Sequence, residues 1–275
     1  MPTQLPEYFD FLIQDFNSEG SSRFVHLGYW EDPKSLSDQI TSASFAHAQA
    51  RLNHKLLQMA HLDNDMEILD VGCGFGGTIE TLDKSYEDMT FTGLNIDARQ
   101  LALCKSITPS GQNTLDWILA DACHLPLANH SQHIVYCIEA IFHFASRKDF
   151  FTETYRVLKP GGQLVFSDLV IHPSLHQLPA PLFAIEAVLS DAYGPWPNFW
   201  QSAQDIINDI NTSQFQQPEV INITENVLPS HHFTIPSDAD WEKDSGNPMI
   251  RSAQMLGWLQ SRGYLNYLLM SCVKD

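Results

Sequence analysis

The sequence predicts an α/β fold: a mostly parallel sheet of seven strands, helices on both of its faces, and a helical lid inserted over one sheet edge. Three observations predict it. Between residues 66 and 171, apolar strand-like runs alternate with helical stretches at the spacing of βαβ units. After residue 171 the alternation stops and prolines and aromatic residues gather, as in "DAYGPWPNFW" (191–200). The chain has 275 residues, 44% of them apolar, which suits one packed α/β domain with an insertion.

Taken in order, residues 7–16 and 38–60 read as helices. In the second, Phe45, Ala46, Leu52, Leu56, Leu57 and Met59 recur at near-helical spacing. "MEILDVGCGFGG" (66–77) is a buried strand, Ile68 to Val71, running into a glycine turn, and a helix starts over 77–83. "MTFTGLNI" (89–96) is the second strand, followed by a helix at 98–107. "DWILADA" (116–122) and "HIVYCIEA" (133–140) are the third and fourth strands. A helix at 147–158 is closed by Pro160-Gly161-Gly162, and "QLVFSDLVI" (163–171) is the fifth strand. Beyond it, 203–210 reads as a helix, 219–228 as a strand, 250–262 as a helix and 264–273 as the last strand. The chain thus divides into a helical N-terminal cap segment (1–60), a ligand-binding core (61–171), a lid insertion that includes a core helix and strand (172–250), and a closing helix and strand (251–275). Ligands of open α/β sheets bind at the C-terminal ends of the strands, the edge that such a lid would cover.

Fifteen basic against 33 acidic residues give a net charge of −18. A surface this acidic repels phosphate backbones and anionic membranes, so neither nucleic acid nor a membrane is expected as a partner. Five scattered cysteines without a C-x-x-C argue against a disulfide framework or a zinc site and for a reducing cytoplasm. The acidic "MPTQLPEYFDFLIQDF" start is not a signal peptide, and no apolar run is long enough to span a bilayer. The histidines show no metal-ligand spacing, so no metal is expected; His231-His232 reads as a strand pair or a lid contact. A homodimer is left open.

The chemistry concentrates at strand ends. Asp70-x-Gly72-x-Gly74-x-Gly76 follows the first strand, where glycines let the backbone turn sharply and approach a ligand. Asp70 is placed to accept from donors in that loop or from a ligand ammonium. Asn95, 25 residues on, ends the second strand, where Rossmann-like folds hold a ribose. Asp121 ends the third strand and can take an exocyclic amine. "RVLKPGG" (156–162) leads into the fifth.

In that order, "ILDVGCGFGG", "FTGLNIDARQL", "ILADACHLPL", "YCIEAIFHF" and "RVLKPGGQLVFSDLV" resemble the motifs of the class I S-adenosylmethionine-dependent methyltransferases. The resemblance covers about residues 24–171, and "GYLNYLLMSCVKD" is similar to the family's last strand. Within the class, "H-x-G-Y-W" (His26, Gly28, Tyr29, Trp30) is similar to the lead-in of the sugar O-methyltransferases of rebeccamycin and erythromycin biosynthesis. The tocopherol, sterol and geranyl diphosphate C-methyltransferases are more distant relatives. The resemblance implies a Rossmann-like methyltransferase fold and S-adenosylmethionine as cofactor. It implies that Gly72, Gly74 and Gly76 wrap the methionine part, with Asp70 beside them. By the same resemblance Asn95 and Ile96 flank ribose and adenine, Gln100 reaches the cofactor edge, and Asp121 and Ala122 meet the adenine amine. Glu139 closes the methionine side and Tyr29 caps the cofactor. The ribose position usually carries an acid. Asn95 bonds a hydroxyl less strongly than a carboxylate would, and Asp97 is an alternative.

"EAIFHF" (139–144) then poses a second question, because it sets His143 between two phenylalanines. A neutral imidazole can take a proton from an acceptor hydroxyl, and a carboxylate can orient it. The sugar O-methyltransferases place a His and an Asp at matching positions, which implies His143 as base and Asp168 as its orienter. The plainer alternative is a packing histidine, with Asp168 capping the next segment. Phe142, Trp196, Phe199 and Trp200 are candidate walls of a substrate pocket, with helix packing as the alternative. The expected reaction is O-methylation of a small natural product or its sugar. The alternatives are C- or N-methylation of an apolar small molecule, or a cofactor-binding module without catalysis.

Overall fold

A computed structural model describes residues 5–19, 22–34, 40–178, 183–234 and 246–275. Its seven strands are β1 (Glu67–Val71), β2 (Thr90–Asn95), β3 (Thr114–Leu119), β4 (Gln132–Cys137), β5 (Leu158–Ile171), β6 (Gln216–Asn222) and β7 (Leu265–Val273). They form one sheet in the order β3-β2-β1-β4-β5-β7-β6. β1 to β5 run parallel, while β7 pairs antiparallel with both β5 and β6. The order reverses between β1 and β4, so the strand ends there open a crevice, the usual ligand position in such sheets.

Alternation along the central strands explains two cores. Ile68, Ile134, Tyr136 and Val165 face one side with Leu52 and Leu56 of α2 (Ser42–Leu57) and Ile79 and Leu82 of α3 (Gly77–Asp83). Leu69, Val135, Cys137 and Phe166 face the other with Phe150 and Phe151 of α5 (Arg147–Val157) and Ile206 and Ile210 of α7 (Ala203–Thr212). Strands buried on both faces read as continuous apolar runs, which is why they were legible. Thr41 and Ser44 form a capping box that starts α2 at Ser42, and residues 38 and 39 of the expected helix lie outside the described residues.

The remaining helices are α1 (Tyr8–Glu19), α4 (Ala98–Cys104), α6 (Phe183–Tyr193), the short turns α8 (Thr224–Val227) and α9 (His231–Thr234), and α10 (Pro248–Ser261). α6, absent from the sequence reading, packs on α10. The expected strand over 219–228 stops at Asn222, whose Oδ1 accepts from the Thr224 N–H and hydroxyl and starts α8. The His231-His232 strand pair is corrected to a helical turn. β3 ends at Leu119 because Asp121 begins a turn, its Oδ1 accepting from Cys123 N at 2.9 Å. β4 ends at Cys137 because Glu139 takes a left-handed φ of 52° and donates its N–H to Ser167 Oγ at 2.8 Å. Among the described residues no helix is long and apolar enough to cross a membrane, and no His, Cys, Asp or Glu cluster could hold a metal.

Candidate active site

The glycine turn starts where β1 delivers Asp70 to the sheet edge. Gly72, Gly74 and Gly76 all have positive φ, a conformation that costs a residue with a side chain about 1–2 kcal/mol. The turn is pinned by Gly72 and Cys73, whose N–H groups both donate to Leu94 O. A Cβ on Gly72 would sit 2.5 Å from that of Ala140, and one on Gly74 would sit 2.7 Å from Val25 Cγ2. Gly76 instead backs onto Ile107 and Trp117, so its small size serves packing. Gly74→Val is expected to push both Val25 and the turn out of place. Calorimetry should show cofactor affinity falling about 5- to 150-fold, the effect of one to three kcal/mol of backbone strain, while circular dichroism keeps the native spectrum; unchanged affinity would remove the turn from the site.

Asp70 is buried, and its Oδ2 has no hydrogen-bond partner. Burial pushes its carboxyl up to about 7. An orphaned carboxylate oxygen beside a glycine turn fits a cationic ligand group. Glu139 is also raised to about 7 by burial, although two bonds favour its charged form. Its Oε2 accepts from Leu27 N at 3.0 Å and from the Tyr267 hydroxyl at 2.7 Å. Glu139 therefore joins the N-terminal segment, β4 and β7 at one point.

On the β2 side, Asn95 donates to Gln100 Oε1 at 3.0 Å and accepts from Asp97 N at 3.0 Å. Both side chains are buried, and Gln100 turns inward to Asn95. Asp97 is corrected as the alternative ribose ligand: it caps α4 and is held by the Arg99 guanidinium. Ile96 and Asp121 are half-buried and Ala122 is buried nearby in sequence at the ends of β2 and β3. Tyr29 sits against α2. Its ring lies under Lys55 Nζ at 4.2 Å, because its backbone is fastened to α2 through Ala48 O and Arg51 Nε. Val25 and Arg23 touch the glycine turn, Arg23 donating to Phe75 O at 3.0 Å.

His143 ends a short 3-10 turn (Ile141–His143) after β4. Its Nε2 lies 2.8 Å from the Tyr8 hydroxyl, and its Nδ1 is buried without a partner. Burial pushes the imidazole down to about 3, so it is neutral at any working pH. Aromatic rings enclose it: Phe142 at 4.2 Å, Tyr8 at 5.6 Å, and Phe9 and Trp196 at 6.4 Å between centroids. Trp196 is buried and its Nε1 is also unpartnered. Phe199 sits behind Trp196, and Trp200 turns away to donate to Glu186 Oε2 at 2.9 Å.

Asp168 does not orient His143, which corrects that pairing. Both its oxygens are taken by Arg147, from Nε at 2.7 Å and Nη2 at 2.9 Å, and Oδ1 also accepts from Leu169 N. The pair is fully enclosed, and Arg147 reaches on to Asn198 O and Gln201 Oε1. Asn198 in turn donates to Phe144 O at 3.0 Å. The carboxylate thus fastens the loop that bears Trp196 to the sheet. Tyr8, Tyr193, Tyr267 and Arg147 were missed. A polar-tipped ring among the apolar positions of β7 was the available signal for Tyr267, but its partner was not readable.

A mostly parallel sheet with a glycine turn and an orphaned acid at β1, and a histidine-bearing turn after β4, has the layout of a class I methyltransferase site. A family profile described as a methyltransferase domain matches residues 69–166. The chain is 30% identical to the O-methyltransferase cnsE of Penicillium expansum over 96% of its own length and 90% of that protein. It is 29% identical to an O-methyltransferase of Pyrenophora dematioidea over 91% and 90%. Among solved structures, geranyl diphosphate C-methyltransferase from Streptomyces coelicolor, in complex with Mg2+, geranyl diphosphate and S-adenosyl-L-homocysteine, matches over 100% of both chains with TM-score 0.73 and 13% identity, a likeness of fold. The chain belongs to the S-adenosylmethionine-dependent methyltransferases, with the Rossmann-like class I fold, and is an enzyme acting on small molecules.

Proposed function

We propose that this enzyme methylates a hydroxyl of a small, partly apolar acceptor, with His143 as the general base. The observation that carries the reading is a neutral imidazole, walled by Phe142 and Trp196, with its Nε2 on a hydroxyl. The named O-methyltransferase relatives support it. S-adenosylmethionine, when bound, supplies a methyl on a sulfonium sulfur that keeps the bond electrons. Asp70 and the Gly72–Gly74 turn would hold its methionine end, Asn95, Ile96 and Gln100 its ribose side, Asp121 and Ala122 its base, with Glu139 closing the cleft. The residues of this chain then align the acceptor, exclude water and take its proton at His143 Nε2. The loop tied down by Arg147, with α6, forms the lid in this reading. Five unpaired buried thiols support a cytoplasmic setting. Transfer of labelled methyl to hydroxylated, and to matched amino and carbon, acceptors tests the reading; labelling of only the latter would sink it. One observation favours that second outcome: an imidazole pushed down to about 3 is a weak base, which suits an acceptor that needs no deprotonation.

A pH dependence follows from Asp70. Its folded carboxyl titrates at about 7, above the ordinary value, so it is protonated below that pH and less able to hold an ammonium. Cofactor affinity is expected to fall as pH drops through 7, by up to about tenfold per unit for one proton. Glu139 titrates in the same window, so Asp70→Asn should make the slope shallower rather than flat. The raised value also means that the stability contributed by the protonated form is present at low pH and lost as pH rises through 7. Asp70→Asn should therefore raise the melting temperature of the free enzyme at pH 8 while weakening cofactor binding. Equal slopes in both proteins would exclude Asp70 from the cofactor site.

A further inference from the structure

α1 meets the site through Tyr8 and Phe9, whose rings lie against His143, and through Phe16 on the glycine turn. Asp10 pairs with Arg99 at an exposed position, where water and salt screen the pair. Phe16 packs on Phe75 of the glycine turn at 5.0 Å. Between these points a space of about 460 Å³ opens between Asp10, Ile13, Gln14 and Asn17 of the helix and Arg99. Phe11 is exposed to solvent. The larger cavity of about 860 Å³, between Lys34, Asn222, Glu225 and Asn266, shares no lining residue with the site.

The first residue of α1, Tyr8, reaches furthest in. Its hydroxyl lies on His143 Nε2, and its ring is edge-on to Tyr193 at 5.4 Å and within 26° of parallel to His143. Burial and the nearby Glu139 charge hold the phenol well above its ordinary value, so it stays protonated and able to donate. Pro6 packs on Gly194, which places Tyr8 beside the end of α6. A phenol on the imidazole nitrogen, inside a box of aromatic rings, is the contact a phenolic acceptor would have to make with this base. The box holds two further unsatisfied groups, His143 Nδ1 and Trp196 Nε1. Among the described residues no cation stacks on these rings, and Arg147 is saturated by Asp168, Asn198 and Gln201.

We infer that Tyr8 occupies the acceptor's place on His143, that the acceptor is an uncharged phenol, and that α1 moves aside to admit it. The inference rests on His143 as the base for a hydroxyl. In the reaction the phenol O–H proton goes to Nε2, the oxygen lone pair forms the new C–O bond, and the C–S bond pair stays on sulfur.

The test uses the full chain saturated with S-adenosylhomocysteine and three probes of matched size: 2-naphthol, decahydro-2-naphthol and naphthalene. Binding is read from tryptophan fluorescence, and turnover of 2-naphthol from labelled S-adenosylmethionine. Tyr8→Phe removes the competing hydrogen bond but keeps the ring. It should tighten 2-naphthol binding about 2- to 12-fold, the range one neutral hydrogen bond contributes, and raise kcat/KM by a similar factor. Decahydro-2-naphthol and naphthalene should gain by a similar factor, because each must displace Tyr8 to enter, so preference for a phenol is read within the variant, where 2-naphthol should bind more tightly than either. Unchanged 2-naphthol affinity in Tyr8→Phe would overturn the inference, since Tyr8 would then not stand in the acceptor's place, and so would 2-naphthol binding no more tightly than naphthalene in the variant. A fall in kcat/KM without tighter binding would overturn it too, making Tyr8 a residue that positions His143. The base assignment is read apart from both: His143→Ala with undiminished 2-naphthol turnover defeats that assignment, whereas the Tyr8→Phe binding arm needs no turnover.

Discussion

Replacing His143 by alanine is expected to lower kcat about 10²–10⁴-fold on a hydroxyl acceptor, the range a positioned base contributes, or roughly 3–5 kcal/mol of barrier. Cofactor affinity should stay near that of the unaltered enzyme, because His143 is not among the residues that would hold the cofactor in this reading. The pH profile sharpens the test. The imidazole titrates at about 3, below its ordinary value, so it is neutral at pH 5 and above and adds no acid limb between pH 5 and 8 in the closed site. Any limb near pH 7 belongs to the two raised carboxyls and should survive in His143→Ala. Near-full turnover by His143→Ala would transfer the reaction to an acceptor that is already nucleophilic.

Arg147→Met carries the largest expected effect on stability. It leaves the Asp168 carboxylate buried with only the Leu169 N–H, and breaking a fully enclosed ion pair in this way costs about 3–5 kcal/mol. Chemical denaturation should show that loss. The double variant Arg147→Met/Asp168→Leu should recover much of it, because no buried charge is left alone. Burial raises the Asp168 carboxyl, and the guanidinium counters that rise, so Arg147 is what favours its charge. A loss below about 1 kcal/mol, the range of exposed pairs, would show that the site admits water. The same substitution frees Asn198 O and Gln201, so the aromatic loop should lose protection from proteolysis.

Legibility in the sequence followed the range of the interactions. β1, β2 and β4 and the glycine turn were readable because burial on both faces and positive φ act on adjacent residues. Strand ends were misjudged where a partner far along the chain sets them: Glu139 stops β4 through Ser167, which lies on the neighbouring strand. Asp168 was located correctly at a strand end, but its partner was not. Arg147 opens α5 next to Ser146, the position of an ordinary solvated charge, and nothing local says that it is buried. Tyr8 and His143 are 135 residues apart. Only the fold brings a ring from a short N-terminal helix onto a turn after the fourth strand.

The placement of β7 has a consequence for how the enzyme comes off the ribosome. β6 is synthesised before β7, yet its ladder partner in the finished sheet is β7, which lies between it and β5. The parallel strands can zip together as they emerge, because each finds its neighbour among residues already made. β5 then waits with a bare edge, and β6 waits as an exposed ribbon carrying Val220 and Ile221 on its surface. Both are templates for the wrong partner until residues 265–273 appear. Nascent chains of this enzyme therefore pass through a late interval in which the cofactor turn is already assembled but the sheet is still open, and that interval is where a chaperone has most to do.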